Sequence, residues 1–252
     1  MERDIFDEVA DVYDQSRPAY PDQLFYDLVG LAGIDHGSRA LEVGTGTGQA
    51  TRGLARRGIP ILGLEPGPRL ASIARANLRS FSQVRVVTES FESWSIEAAG
   101  FDLVFSAQAF HWVAPEVRFV KAWQALKEGG SLAIIANVPY HGKSELDRVI
   151  DECYQQLAPS YRSTGSERRD TMESEFQVCP LFRISPVRRY EWSASYTAEE
   201  YITLLSTYSD HRILPEAERS ALFSGISSAI LAHGCVLKLQ YESKLLLGLR
   251  LN

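Results

Sequence analysis

The chain reads as a doubly wound α/β fold, a sheet of parallel strands with helices on both faces. Three observations predict it. Five short apolar runs alternate with helical patterns between residues 39 and 136. Three glycines at alternate positions (Gly44, Gly46, Gly48) follow the first run at once, and a carboxylate, Glu65, closes the second. At 252 residues and 45% hydrophobic content, the chain is long enough to bury a large core.

In order, residues 5–33 carry helical spacing, first Phe6, Val9, Ala10 and Tyr13, then Leu24, Leu28 and Leu31, with a break at Arg17–Pro21. Arg39–Val43 is the first strand, and Ala50, Leu54 and Ala55 give a short helix stopped by Gly58. Ile59–Glu65 reads as the second strand, Val84–Val87 as the third, Phe101–Ser106 as the fourth and Leu132–Ala136 as the fifth. Helical stripes fill the gaps: Leu70, Ile73, Ala74 and Leu78, then Val117, Val120, Trp123 and Leu126. Beyond residue 140 the rhythm changes. Leu146, Val149, Ile150, Cys153 and Leu157 mark an amphipathic helix, and the polar stretch Ser160–Asp170 reads as a mobile loop. Tyr190 and Trp192 alternate with charged residues as a sixth strand. Thr197 and Glu200 form a capping box ahead of Tyr201, Leu204 and Leu205. Pro215 opens a helix through Leu222, Ile226 and Ile230, and Cys235, Leu237, Leu239 and Tyr241 alternate as the last strand. With no repeat or linker, the reading is a single domain, 1–252.

Glycines after a strand let the backbone turn sharply and leave room for a ligand, and the amides of a helix start favour anionic groups. The dinucleotide fingerprint is G-x-G-x-x-G. Here the third glycine falls one place early, Gln49 occupies its expected position, and Glu42 stands two residues before the first glycine. A carboxylate there repels a pyrophosphate and attracts an ammonium. The segment Glu42–Gly48 resembles motif I, E/D-x-G-x-G-x-G, of class I S-adenosylmethionine-dependent methyltransferases, in the small-molecule, type 11-like group. Phe101–Trp112 is similar to that group's F-D-L-V-x-S-x-x-x-x-H-W, Leu126–Gly130 to its structural L-x-x-G-G turn, and Tyr13–Pro21 to an N-terminal segment that folds over the cofactor.

The resemblance implies a Rossmann-like, seven-stranded, mostly parallel sheet of order 3-2-1-4-5-7-6, its last strand antiparallel, with a helical cap. It divides the chain into an N-terminal helical lid (1–33), a cofactor-binding core (34–137), a helical cap with the sixth strand (138–234) and the last strand (235–252). The implied cofactor is S-adenosylmethionine, with S-adenosylhomocysteine as product. Its implied contacts are Tyr13 and Arg17 at the methionine end, the turn residues Glu42, Gly44, Thr45, Gly46 and Gly48, then Glu65 and Pro66 at the ribose. On the adenine side stand Ser90 and Phe91, with Glu89 or Glu92 as alternatives to Ser90, where the family often has an acidic residue; Gln108 follows the fourth strand. From the residues alone, Glu65 lies roughly 20 positions past the glycines, where a ribose diol is bound, and Arg17 is a fork donor suited to a carboxylate. His111 is the candidate catalytic base, since imidazole titrates near neutrality; beside Trp112 it can equally be a packing residue. Tyr140, His141, Tyr154, Tyr161 and Tyr208 are candidates to line an acceptor pocket.

A net charge of −6 and a pI near 5.5 argue against a general nucleic-acid partner. No apolar run approaches the length of a membrane span, and the acidic start lacks a signal-peptide core. Three distant cysteines fit neither a disulfide framework nor a zinc site. The expectation is a cytoplasmic protein without metal that methylates an O, N or C nucleophile of a small molecule. Two rivals share the pocket: a non-catalytic S-adenosylmethionine-binding or regulatory protein, and an NAD(P)-dependent oxidoreductase, which the glycine spacing and Glu42 disfavour.

Overall fold

Apolar runs flanked by glycines become strands, and stretches with apolar residues three and four apart become helices. In the computed structural model, which describes residues 4–96, 100–140, 142 and 144–252, the order begins α1 (Asp4–Glu8), α2 (Ala10–Ser16), α3 (Asp22–Ala32), β1 (Ala40–Val43), α4 (Gln49–Ala55), β2 (Ile61–Leu64), α5 (Pro68–Asn77), β3 (Val84–Val87) and β4 (Phe101–Ala107). A 3-10 turn at Phe110–Trp112 precedes α6 (Pro115–Ala125), β5 (Leu126–Tyr140), α7 (Glu145–Leu157), α8 (Thr164–Gln177) and β6 (Phe182–Ile184). The chain ends with β7 (Arg188–Thr197), α9 (Ala198–Ser206), α10 (Ser209–Arg212), α11 (Glu216–Ala232) and β8 (Val236–Arg250).

The strand order is β3-β2-β1-β4-β5-β8-β6, with β7 paired on β8. Strands β3, β2, β1, β4 and β5 run parallel to their neighbours, whereas β6 and β8 are antiparallel. The order agrees with the expected 3-2-1-4-5-7-6 once β8 is taken as the seventh strand and β7, which carries Tyr190 and Trp192 and pairs on β8, as the sixth; β6 is the unexpected strand. The count does not: among the described residues there are eight strands, not seven. Ser185 N still donates to Leu247 O at 2.8 Å, but Pro186 has no N–H to donate, so the ladder breaks and a separate strand starts at Arg188.

Two compact units make up the chain. One comprises Ala19–Asn137, Arg168–Tyr190 and Ser243–Asn252. In it, successive strand residues feed two apolar layers: Leu41, Leu132, Ile134 and Leu246 enter one cluster, and Ala40, Ala133, Ile135, Leu245 and Leu247 the other. Strands buried on both faces in this way need helices on both sides. The other unit comprises Met1–Pro18, Val138–Glu167 and Glu191–Glu242. Its core joins Leu146 and Ile150 of α7, Tyr201, Leu204 and Leu205 of α9, Leu222, Ile226 and Ile230 of α11, and Leu237, Leu239 and Tyr241 of β8. A Cβ added at Gly225 would stand 2.5 Å from Leu157 Cδ1, so glycine lets α7 and α11 approach. The capping box of Thr197 and Glu200 forms as expected.

Three further expectations are corrected. The polar stretch 160–170 is not a loop throughout: α8 starts at Thr164, with Asp210 Oδ1 accepting from Thr164 Oγ1 (2.7 Å) and Gly165 N (3.2 Å). Composition hid this helix because Met172 and Phe176 are its sole fully buried residues; Phe176 stacks on Phe119 with ring centroids 5.5 Å apart. The fully buried residues of α6 are Arg118, Phe119, Ala122 and Ala125; of the expected stripe, Val117 and Trp123 pack partly buried against the same core and Val120 is exposed. Strand five is longer than Leu132–Ala136, because the turn at Gly129–Gly130 is taken up as a register shift against β4.

Candidate cofactor and acceptor site

The glycine turn between β1 and α4 sits at the carboxyl end of the parallel strands. Gly44, Gly46 and Gly48 adopt φ of +76°, +59° and +96°, the left-handed region that side chains disfavour. At Gly44 space is also limiting, since a Cβ would meet Ala109 Cβ at 2.3 Å. Four of the turn's amides are already engaged. Gly44 N and Thr45 N donate to Leu64 O at 2.9 and 3.1 Å, Gly48 N donates to Thr45 O at 3.0 Å, and Gly46 N donates to Glu65 Oε2 at 2.8 Å. Gly63, a position the sequence reading passed over, gives Thr45 its place: a Cβ there would lie 2.4 Å from Thr45 Oγ1.

Two buried carboxylates flank this turn. Glu65, 5% exposed at the end of β2, accepts from Gly46 N through Oε2 and from Gly67 N through Oε1 (2.9 Å), reaching past the exposed Pro66. Glu42, 1% exposed in β1, accepts from Thr51 Oγ1 through Oε2, while its Oε1 meets no hydrogen-bond partner among the described residues. Burial pushes the Glu42 carboxyl up to about 8; the Thr51 hydroxyl opposes the shift and the charge of Glu65 adds to it.

The loop after β3 adjoins the same strand ends through Glu89 N, which donates to Glu65 O at 3.1 Å. Ser90 Oγ accepts from Ser93 N at 3.1 Å and so caps the following turn. The Phe91 side chain packs in the core against Trp94. Glu92 Oε1 accepts from Ala114 N at 3.3 Å.

After β4, Gln108 takes a left-handed φ of +57° without being glycine, a strain that clusters at functional sites. Its Nε2 donates to Asn137 O at 2.6 Å, and its buried Oε1 has no partner among the described residues. His111 lies in the 3-10 turn, its ring 5.3 Å from that of Trp112. The guanidinium of Arg168 sits over the Trp112 ring at 4.6 Å. Burial, then the charges of Arg169, Arg168 and Arg118, push the His111 imidazole down to about 3.

Glu42, the three glycines, Thr45, Glu65 and Pro66 thus come together, with Ser90, Phe91, Gln108 and His111 on the neighbouring loops of the same unit. Tyr13 and Arg17 belong to the other unit, where the Arg17 guanidinium lies 4.6 Å from the Tyr13 ring and 4.4 Å from Tyr208. In that unit Tyr154, Tyr161 and Tyr208 surround His211, which no sequence signal singled out. Tyr140 is exposed, and His141 lies outside the described residues. Among the described residues no helix is long and apolar enough to cross a membrane, and no group of His, Cys, Asp or Glu could hold a metal ion.

The parallel sheet in this order, with a glycine turn between two acidic strand ends, is the class I methyltransferase fold. Residues 41–134 match the model of the methyltransferase domain family. It is 30% identical over 132 residues to an uncharacterized methyltransferase of Mycobacterium tuberculosis, covering 52% of this chain and 51% of the relative; the matched stretch spans about half the length of that relative. An uncharacterized methyltransferase-like protein of Schizosaccharomyces pombe is 29% identical over 220 residues, 84% of this chain and 80% of its own. Among solved structures, a provisionally assigned type II methyltransferase from Anaeromyxobacter dehalogenans superposes with a TM-score of 0.73 at 23% identity, covering 92% of this chain and 97% of that one.

Proposed function

We propose that the protein transfers a methyl group from S-adenosylmethionine to an O, N or C nucleophile of a small-molecule acceptor. The observation that carries this is Glu42: a buried carboxylate with one oxygen unpartnered among the described residues, beside a turn in which the amides of Gly44, Thr45, Gly46 and Gly48 already donate within the protein. A pyrophosphate needs those amides; a cationic amino acid end needs that oxygen. When bound, the cofactor supplies a methyl group already activated on its sulfonium.

The chain's own residues then bind, orient and exclude water. Glu42 receives the ammonium. Glu65 keeps both amide bonds, and each oxygen has a second lone pair for a ribose hydroxyl, with Pro66 and Gly67 shaping that edge. Ser90 and the Phe91 main chain, rather than its core-buried ring, serve the adenine side. Gln108 offers its unpartnered Oε1 as an acceptor. His111 is neutral at physiological pH and weakly basic, so we assign it an orienting hydrogen bond to the acceptor rather than proton removal. The arginines that depress it would stabilise a nucleophile reacting as an anion.

Calorimetry with S-adenosylmethionine, S-adenosylhomocysteine and NAD tests the cofactor. Binding of the two sulfur compounds and silence with NAD is expected; tight NAD binding without response to the others overturns the reading. Methyl transfer across a metabolite panel then separates an enzyme from a binder.

A further inference from the structure

The carboxamide of Gln108 is held by residues that the scheme above does not use. Strands β4 and β5 pair in register as far as Ala107 opposite Ile135, and Gln108 N extends the ladder to Ile135 O at 2.9 Å. There the main chain turns away with a φ of +57°. Two residues further along β5, Asn137 O accepts from Gln108 Nε2 at 2.6 Å. The side chain thus takes a carbonyl that the next main-chain amide would take in a continuing parallel ladder. Asn137 is in turn braced through its own side chain: Nδ2 donates to Ala19 O at 3.2 Å, and Oδ1 accepts from Ser243 Oγ at 2.5 Å. Asn137 is 3% exposed and Ser243 is fully buried. Ala19, Gln108, Asn137 and Ser243 all lie in the unit that holds the glycine turn.

These bonds settle which end of each carboxamide is which. Ala19 O and Asn137 O can only accept, so each faces an NH2 group. A flipped Gln108 would set two oxygens against each other. Its Oε1 is therefore the end left over, buried and without a partner among the described residues. Left-handed backbone at a residue other than glycine is costly and persists only where its surroundings over-determine it. Here two carbonyls of β5 do so, one through the main chain of Gln108 and one through its side chain. A buried acceptor that cannot turn round to donate discriminates sharply, because an unsuitable partner leaves it unpaired.

We propose that Asn137, braced by Ser243, is a positioning residue that fixes Gln108 as an acceptor-only group, so that the ligand group meeting Gln108 must bring an N–H or O–H. A carboxylate or an ether oxygen is disfavoured there. The part this plays in methyl transfer rests on the function proposed above; the bracing itself is a property of the free protein. Asn137 and Ser243 act through Gln108.

The test follows the side-chain NH2 signals of Gln108 by 1H–15N NMR in the full chain, assigned by their disappearance in Gln108→Gly, since glycine suits the positive φ there. In the free protein one Nε2 proton is expected well downfield and protected from exchange. Ser243→Ala should return it towards the position of a solvated carboxamide, and Asn137→Ala should do so further; should Asn137→Ala not fold, Ser243→Ala decides alone. Kinetics with S-adenosylmethionine and the panel compound that is methylated supply the second readout. There kcat/KM should fall about tenfold in Gln108→Gly and about threefold in Ser243→Ala, with no further fall when the two are combined. A residue that merely supports the fold would cost as much in both backgrounds. If methyl transfer occurs but Gln108 gives the signals of a solvated carboxamide, or Ser243→Ala costs the same in both backgrounds, the positioning role is refuted and the methyl-transfer reading stands. If the downfield proton is present and is lost in Ser243→Ala, while no compound is methylated and S-adenosylhomocysteine does not bind, the methyl-transfer reading fails and the bracing of Gln108 stands.

Discussion

The ends of β1 and β2 lie side by side in one sheet, in register from Ala40 opposite Ile61 to Val43 opposite Leu64, and each carries a buried glutamate. They are prepared in opposite ways. At the end of β2 the Glu65 carboxylate is held by two main-chain amides before any ligand arrives. In β1, Glu42 has one hydroxyl for one oxygen and, among the described residues, nothing for the other. Hydrogen bonds to the charged form keep a carboxylate ionised, whereas burial without them favours the neutral acid. Glu65 is thus part of the scaffold, and Glu42 is a buried acid that keeps its proton at neutral pH until a cation favours its ionised form.

Removing Glu42 should give the largest effect, with a sign opposite to ordinary core damage. In the unfolded chain its carboxyl ionises near the ordinary 4.5, and in the folded protein only near 8. Below 4.5 both states hold the proton and nothing is lost. As pH rises towards 8 the unfolded state alone sheds it, so wild-type stability falls and then levels off. Glu42→Gln should remove that fall, making the protein about 3 kcal/mol more stable at pH 7 and equal to wild type below pH 4.5, in denaturant titrations. The same variant should bind S-adenosylmethionine at least about tenfold more weakly and lose the proton release that calorimetry in buffers of different ionisation heat would record. A Glu42→Gln protein of unchanged stability and affinity would erase the contrast.

Glu65→Ala should act the other way, leaving Gly46 N and Gly67 N without their acceptor. Chemical denaturation should show a loss of about 2 kcal/mol, and cofactor affinity should drop with it. Intact stability would mean that water serves both amides and that Glu65 is not scaffold.

The contrast between the two glutamates was only half legible in the sequence. Position was plain, because a strand, three glycines and a carboxylate roughly 20 residues on are a local pattern with local causes. Satisfaction was not, since whether an oxygen meets an amide depends on how the Gly44–Gly48 turn folds back onto β2. The same limit explains the rest. The parallel arrangement followed from alternating elements and the strand order from the resemblance alone, but the eighth strand needed Pro186 to be seen as a break in a ladder. Helix α8 was hidden by polar composition, because two buried residues four apart hold it down. The partners of His211 come from positions 17, 154, 161 and 208, distant in sequence and joined only by folding.

Thr51→Val sharpens the comparison with the smallest effect. The Thr51 hydroxyl is the one group seen to favour an ionised Glu42, and it comes from α4, directly after the glycine turn. Its loss should cost about 1 kcal/mol of stability at neutral pH, where Glu42 holds its proton and the bond is one between neutral groups. It should also make ionisation of Glu42 harder. Wild-type affinity for S-adenosylmethionine is expected to rise with pH and level off near 8, because the ammonium needs the charged carboxylate. In the variant that rising limb should move to higher pH at a similar plateau. A limb that stays in place, or moves down, would show that the Thr51 bond does not tune Glu42, and that some other group governs the charge in β1.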